Sequence, residues 1–257
     1  MAKRQFIGTK RKKVTRAEKH VGLARAISKL GYCSRSRATE LIREGKVRLN
    51  GNGVRNPEAP VRLGKDRVEI EGQLLSNAEK IYLMMNKPRG IVTTAADEKG
   101  RETVYRLLPV DLAWVAPVGR LDQASEGLLL FTNDSQWAAG ITDPASHLDK
   151  TYQVQIAAVA SSGILEKLEH GLEMPDGEIL RAKRATLLRA GEKNSWLEIV
   201  LDEGKNRQIR RMLDALGIEV LRLVRVAIGP VQLGDLPKRA YRELRVEEKL
   251  ALDRATE

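Results

Sequence analysis

Val118-Gly119-Arg120-Leu121-Asp122-Gln123-Ala124-Ser125-Glu126-Gly127-Leu128-Leu129-Leu130-Phe131-Thr132-Asn133-Asp134 sets the Asp122 carboxylate between an arginine and a glycine-led apolar run. Leu128 to Phe131 has the length of a strand, and the turn-prone Asn133-Asp134 bounds it. Gly127 suits a tight turn or a close approach of two backbones. The stretch therefore reads as a polar loop feeding a buried strand. Such a loop on a rigid scaffold presents Asp122 at a cleft.

Upstream, Ile81 to Met85 is a second apolar run of strand length. It leads through Asn86-Lys87-Pro88-Arg89-Gly90 into the β-branched Ile91-Val92-Thr93-Thr94, so the spacing predicts two strands with a bend at Pro88 and Gly90. Downstream, residues 136–141 read as a helix, and Tyr152-Gln153-Val154-Gln155-Ile156 alternates as a half-buried strand. A tyrosine at a strand start is ordinarily a packing residue. Residues 164–171 form an amphipathic helix, and strands follow around 179–189 and at 196–201. In Glu203-Gly204-Lys205-Asn206-Arg207-Gln208-Ile209-Arg210-Arg211-Met212-Leu213, the apolar residues Ile209, Met212, Leu213 and Leu216 lie on one helical face and Gly217 ends the helix. Taken alone, Arg210 can be an exposed partner of Asp214 one turn on, an interaction worth little. Further strands at 220–228 and 241–244 precede a short surface helix over 247–254.

The charge is unevenly placed. The net charge of the 257 residues is +11, yet residues 1–51 hold fifteen Lys/Arg against three Asp/Glu, leaving the remainder at −1. An anionic partner gripped by the N-terminal end fits that asymmetry. Residues 1–19 have almost no apolar content and read as a disordered basic tail, either phosphate-gripping or merely solvated. Residues 20–72 read as a small helical and β module. Leu23, Ile27 and Leu30 share a helical face, and Ser34 or Ser36 caps a second helix that Gly45 ends. Val47 and Leu49 then start a strand, and Val68 and Ile70 suggest another. Arg25, Lys29, Arg35, Arg37, Arg43 and Lys46 occupy its polar positions and are the candidates for binding that anionic partner. Residues 73–80 read as a linker.

One cysteine, Cys33, and three scattered histidines supply neither an internal disulfide nor a metal cluster. No segment has transmembrane length and the N-terminus lacks a signal-peptide core, so a cytoplasmic protein without membrane association is expected.

The Gly-Arg-Leu-Asp stretch at 119–122 resembles the catalytic motif of pseudouridine synthases. Three further stretches extend the likeness: Asn-Lys-Pro-x-Gly at 86–90, Lys-x-Tyr at 150–152 and Asn-Arg-Gln-Ile-Arg-Arg-Met at 206–212. The basic helices with Gly45-Lys46-Val47-Arg48-Leu49-Asn50-Gly51 resemble an S4-like RNA-binding domain. Together they are similar to the ribosomal RNA branch of these enzymes, spanning most of residues 20–245. The resemblance implies an α+β fold, with the small RNA-binding domain followed over 80–250 by a synthase domain whose mixed, largely antiparallel sheet floors a basic cleft. It implies Asp122 as the catalytic aspartate, Tyr152 as the ring that stacks on the target uracil, and Arg210 as the cation paired with Asp122. Lys87 and Pro88 would support the catalytic loop from below.

A carboxylate buried beside a base tends to keep its proton, and a guanidinium at close range opposes this by roughly 1–3 pKa units. Arg120 and Arg207 join the candidate RNA-binding residues, Arg120 either holding an extruded nucleotide or sitting on the surface. The reaction is an isomerisation without redox change, so no cofactor or metal is expected. The expected partner is ribosomal RNA or a pre-ribosomal particle, bound by a monomer. Asn206-Arg207-Gln208 is more like the large-subunit branch. Small-subunit or transfer RNA as substrate, a non-catalytic RNA-binding assembly factor, and a DNA-binding regulator are the alternatives, and the last leaves the second domain unexplained.

If the tail grips phosphates, deleting residues 1–19 weakens RNA binding and flattens the slope of log affinity against log salt. Equal slopes for the full and shortened chains in a salt series would remove that role.

Overall fold

The computed structural model describes residues 20–76, 78–95 and 97–257; the basic segment 1–19 lies outside the described residues. Contacts divide the chain into two units, one taking in residues up to 27 and 35–75, the other 28–34 and 76–257.

From residue 20 the chain runs β1 (Val21–Gly22), α1 (Leu23–Lys29), α2 (Arg35–Arg43), β2 (Val47–Leu49), β3 (Asn52–Gly53), β4 (Pro60–Val61), β5 (Val68–Ile70) and β6 (Gln73–Leu74). The strands β3-β2-β5-β6 form an antiparallel sheet, and β1 pairs with β4. The helical stripes turn inward as the spacing predicts, burying Leu23, Ile27, Ala38, Leu41 and Ile42 with Val47, Val68 and Ile70. Gly45 ends α2 because it takes a φ of +78°. In that conformation the amides of Gly45 and Lys46 reach back to the carbonyls of Ile42 and Leu41.

The second unit continues with β7 (Tyr82–Lys87), β8 (Ala116–Val118), β9 (Glu126–Thr132), α3 (Ser135–Thr142), β10 (Lys150–Ile156), α4 (Ser162–His170), β11 (Leu172–Glu173), β12 (Ile179–Leu180), β13 (Arg184–Ala190), β14 (Ser195–Leu201), α5 (Gln208–Ala215), β15 (Val220–Ile228), β16 (Val231–Gln232), β17 (Tyr241–Glu243) and α6 (Val246–Ala255). Its large sheet follows the order β13-β14-β10-β15-β9-β7-β17, with β16 beside β15 and β8 beside β9. The β15–β9 pair is parallel and the other pairings are antiparallel. The fold is thus α+β with a mixed, largely antiparallel sheet.

β9 is buried at all of its positions, as its continuous apolar run requires. Leu128 and Leu130 pack beneath α3 and α6 with Ile141 and Leu252. Leu129 and Phe131 face the opposite layer with Leu83, Met85, Ile91 and Val104. In the other half of the sheet, α4 and α5 cover Val154, Ile156, Leu197 and Ile199 with Leu168, Met212 and Leu213.

One edge of β9 changes partner along its length. Residues 126–127 pair with β15, whereas residues 130–132 pair with β8. β8 and β15 diverge there, and the loop carrying Asp122 joins β8 to β9 at the split. Ile91 to Thr94 does not form the expected strand; Val92 makes only an isolated bridge to Thr103. Ile91 and Val92 are buried by packing, and Thr93 spends its hydroxyl on the Leu121 carbonyl.

Gly127 has a φ of +103°, and a Cβ built there would lie 2.2 Å from the Arg225 carbonyl oxygen on the parallel strand. Gly127→Ala therefore combines backbone strain with a steric clash and is expected to destabilise the fold by about 3 kcal/mol or more. Urea denaturation checks this, and a loss below about 1 kcal/mol would contradict the close approach.

Candidate active site

The split between β8 and β15 opens a cleft of about 470 Å³ lined by residues from β8, β10, β15, the 119–125 loop and the start of α5. Asp122, Tyr152, Arg120, Arg207 and Arg210 all line it, so the structure brings these predicted residues together. Of the N-terminal candidates, Arg25, Arg35, Arg37, Arg43 and Lys46 are exposed and Lys29 is half-buried. Arg37 pairs with Glu40 at 2.9 Å, and Lys46 with Glu44 at 2.9 Å.

The loop that presents Asp122 is fixed through its carbonyls. The Thr93 hydroxyl donates to Leu121 O at 2.8 Å, and the Gly90 amide donates to Gln123 O at 2.8 Å. Lys87 lies on β7, across from Gly127, with its side chain fully buried. Its Nζ donates to the carbonyls of Pro88 at 3.1 Å, Asp122 at 3.0 Å and Ser125 at 2.9 Å. Arg210 Nη2 donates to Ala124 O at 3.1 Å. Every carbonyl from Leu121 to Ser125 is thereby engaged, and the Gln123 side chain returns a bond to Gly90 O at 2.9 Å.

The carboxylate itself is left open. Among the described residues its ion pair is with Arg207, Nη1 to Oδ2 at 3.6 Å, and no hydrogen bond to its oxygens shorter than that is present. Arg210, expected as the direct counter-charge of Asp122, does not make that contact in this structure. Arg207 takes the left-handed conformation, φ +49°, immediately before α5. Arg210 lies in the first turn of the helix and is drawn to the Ala124 carbonyl, an acceptor that nothing else meets. Burial and the neighbouring Arg207 push the Arg210 guanidinium pKa down, and the Asp122 charge opposes them. Arg210 thus feels the carboxylate without touching it. Its Nε is buried and has no acceptor among the described residues.

Tyr152 lies on β10, half-buried between two apolar layers, with its ring beside the same cleft. Arg120 is exposed at the rim. The other acidic side chain lining the cleft, Glu203, is occupied: it accepts from Gln208 Nε2 at 2.6 Å and pairs with Lys205 at 3.2 Å. Three further cations, Lys150, Lys205 and Arg225, line the cleft without being among the predicted site residues. The sequence signal for Arg225 is that Arg222 and Arg225 both interrupt an apolar strand at an odd spacing, which puts them on opposite faces of the sheet. Among the described residues no three His, Cys, Asp or Glu side chains gather as metal ligands, and no helix is long and apolar enough to cross a membrane.

The family described as RNA pseudouridylate synthase matches residues 81–215, and the S4 domain matches residues 21–68. The chain belongs to the RNA pseudouridylate synthase family, a family of isomerases. It is 36% identical to the ribosomal large subunit pseudouridine synthase B of Bacillus subtilis (strain 168), across 88% of this chain and 93% of that protein. An uncharacterized RNA pseudouridine synthase of Rickettsia prowazekii (strain Madrid E) is 39% identical across 86% of this chain and 93% of its own length. A crystal structure of a pseudouridylate synthase superposes with a TM-score of 0.64 at 32% identity, covering 90% of this chain and 99% of that one.

Lys87 gives the site a pH dependence. Burial pushes its ammonium pKa down to about 8, with Asp122 and Glu126 opposing the fall and Arg225 adding to it. The unfolded chain holds this proton to about 10.4. Between those limits the unfolded state binds more protons at this residue, so its contribution to stability rises with pH. Catalysis should move the other way, because a neutral amine has two N–H groups for three carbonyls and the Asp122 loop loosens. The expected outcome is a kcat that falls with a midpoint near pH 8 while RNA affinity holds. A kcat level through pH 9, measured against a stability profile, would exclude this role.

Proposed function

We propose that the chain converts a specific uridine of ribosomal RNA, in the large subunit, to pseudouridine, with Asp122 as the catalytic carboxylate. The observation that carries this reading is the state of Asp122. It is the cleft carboxylate whose backbone is clamped at successive carbonyls while its own oxygens face the opening with only a 3.6 Å ion contact to Arg207. The likeness to the Bacillus subtilis large-subunit enzyme supports the choice of RNA.

The reaction breaks the bond between ribose C1′ and uracil N1, turns the base, and joins C1′ to C5. One proton passes, in net terms, from C5 to N1, and nothing is oxidised or reduced. An ionised carboxylate beside the sugar serves by attacking covalently or by stabilising positive charge at C1′. Arg207 lies 3.6 Å from that carboxylate, and Arg210 is fastened to the backbone of the loop that carries it. Tyr152 supplies the face on which an extruded base stacks, offsetting part of the cost of unstacking it. Arg120 and Arg207, both exposed, suit the phosphates flanking the target nucleotide. The S4-type domain, with Arg25, Lys29, Arg35, Arg37, Arg43 and Lys46 on its polar positions, provides affinity that does not depend on the reacting base.

Asp122→Asn keeps the shape of the side chain and removes its charge. It should lower tritium release from C5-labelled uridine in ribosomal RNA by roughly 10³-fold or more, with RNA affinity nearly unchanged. Turnover within about tenfold of wild type would overturn the assignment of Asp122. Nucleotide-resolution mapping of pseudouridine in cells with and without the gene identifies the target; loss confined to small-subunit or transfer RNA would refute the choice of RNA.

A further inference from the structure

Arg225 lies on β15 at the floor of the cleft with 6% of its surface exposed. Its Nε donates to the Leu128 carbonyl at 2.8 Å. Among the described residues its Nη2 is buried without an acceptor, and no hydrogen bond or ion pair engages its Nη1. A buried guanidinium with unused donors and no counter-anion is unfavourable in a folded chain unless something else meets it.

The contrast with the other side of the sheet is informative. Alternate residues of β15 and β10 face a polar hollow there, lined by Arg222, Lys238, Arg184, Glu126 and Glu198. Its cations are matched: Arg222 and Lys238 meet Glu126 at 2.8 and 2.7 Å, and Arg184 meets Glu198 at 3.1 Å. Arg225 has no such partner. Lys150, half-buried on β10, is a further cation of the cleft, and burial and then Arg225 push its ammonium pKa down. The floor of the cleft is therefore prepared for an electron-rich group.

The position in the cleft selects which group. Phosphates are large, hydrated and charged, and the exposed Arg120 and Arg207 at the rim meet them without burial. What reaches the floor, beside the Tyr152 ring, is the base. When the C1′–N1 bond breaks, the bonding pair stays with uracil and is shared among N1, O2 and O4. The base then turns, C5 bonds to C1′, C5 gives up its proton, and N1 gains one.

We propose that Arg225 is the base-binding cation of this site: its terminal N–H groups donate to a carbonyl oxygen of the uracil and stabilise the detached base as its anion while it turns. The proposal rests on reading the cleft as the site of pseudouridine formation. It assigns Arg225 a role separate from the clamp that positions Asp122, since its single backbone contact is to β9 rather than to the 121–125 loop.

The test is single-turnover isomerisation of an RNA carrying uridine, 2-thiouridine or 4-thiouridine at the mapped position, by wild type, Arg225→Gln and Arg225→Lys. Sulfur accepts hydrogen bonds poorly, so wild type should slow by about tenfold or more on one of the thio substrates. Arg225→Gln should lose about 10²- to 10³-fold in rate on uridine and no longer discriminate against that thio substrate. Arg225→Lys, which keeps the charge, should recover part of the loss, and RNA affinity should stay within about twofold throughout. Equal wild-type rates on all three substrates would overturn the proposal, even if Arg225→Gln fails to fold. So would undiminished discrimination in a folded Arg225→Gln. Failure of wild type to convert the uridine RNA would instead strike the proposed function itself.

Discussion

The Lys87 ammonium, fully buried and hydrogen-bonded to the carbonyls of Pro88, Asp122 and Ser125, is the interaction on which the cleft depends. A primary ammonium has three N–H donors, which is the number of acceptors the turn offers it. Taking a cation out of water is expensive, and hydrogen bonds to a charged donor, each stronger than a neutral one, offset the expense. The result is a loop whose own turn, closed by the Ser125 amide donating to the Asp122 carbonyl at 3.0 Å, is braced from beneath. Thr93, Gly90 and Arg210 take up the carbonyls that Lys87 does not reach. Positioning a reacting carboxylate to within a fraction of an ångström requires such a frame, because small displacements are costly to rate.

Arginines divide the remaining work by burial. Arg207, more than half exposed, sits nearest the Asp122 carboxylate. Arg210 is deeper, fastened to the loop backbone, and acts on Asp122 through the field rather than through contact. Such an arrangement leaves the carboxylate oxygens accessible. A bidentate Arg–Asp pair would cover both oxygens. Arg207 at 3.6 Å is a looser partner that leaves them open.

Much of this was legible in the sequence, and the limits have physical causes. The run from Leu128 to Phe131 read as a buried strand because only a strand covered on both faces tolerates an unbroken apolar sequence. The stripe Ile209, Met212 and Leu213 located α5 and turned its arginines toward the other side. The clustering of Asp122, Tyr152 and Arg210 followed from motif resemblance, and the structure places all three around one cleft. What sequence reading missed involves backbone acceptors. Carbonyl oxygens are the same at every residue, so no pattern announces that Ala124 O would capture Arg210; the resemblance implied that Lys87 supports the loop from below, but not which carbonyls it would hold. Ile91 to Thr94 misled for a related reason. β-branched residues favour extended backbone, but extended backbone becomes a strand only where a neighbour offers a ladder, and here packing and the Thr93–Leu121 bond consumed the segment.

The near-neutrality of residues 52–257 hides a local asymmetry that matters for an anionic substrate. Away from the cleft, several basic side chains are cancelled by close partners: Arg242 by Glu248 at 2.7 Å, Arg211 by Glu178 at 2.7 Å, Lys249 by Asp253 at 2.6 Å and Arg101 by Asp97 at 2.6 Å. Around the cleft, Arg120, Lys150 and Arg225 lack such a match among the described residues, and Arg207 and Arg210 share one carboxylate between them. Net charge therefore understates the potential where the substrate enters, since fields in a low-dielectric cleft are focused while paired surface charges screen one another. The cleft thus offers uncompensated cations at its rim and at its floor, with the Asp122 carboxylate between them. On the proposed function, that ordering would draw the phosphates to the outside, the base to the inside and the sugar to the level of Asp122.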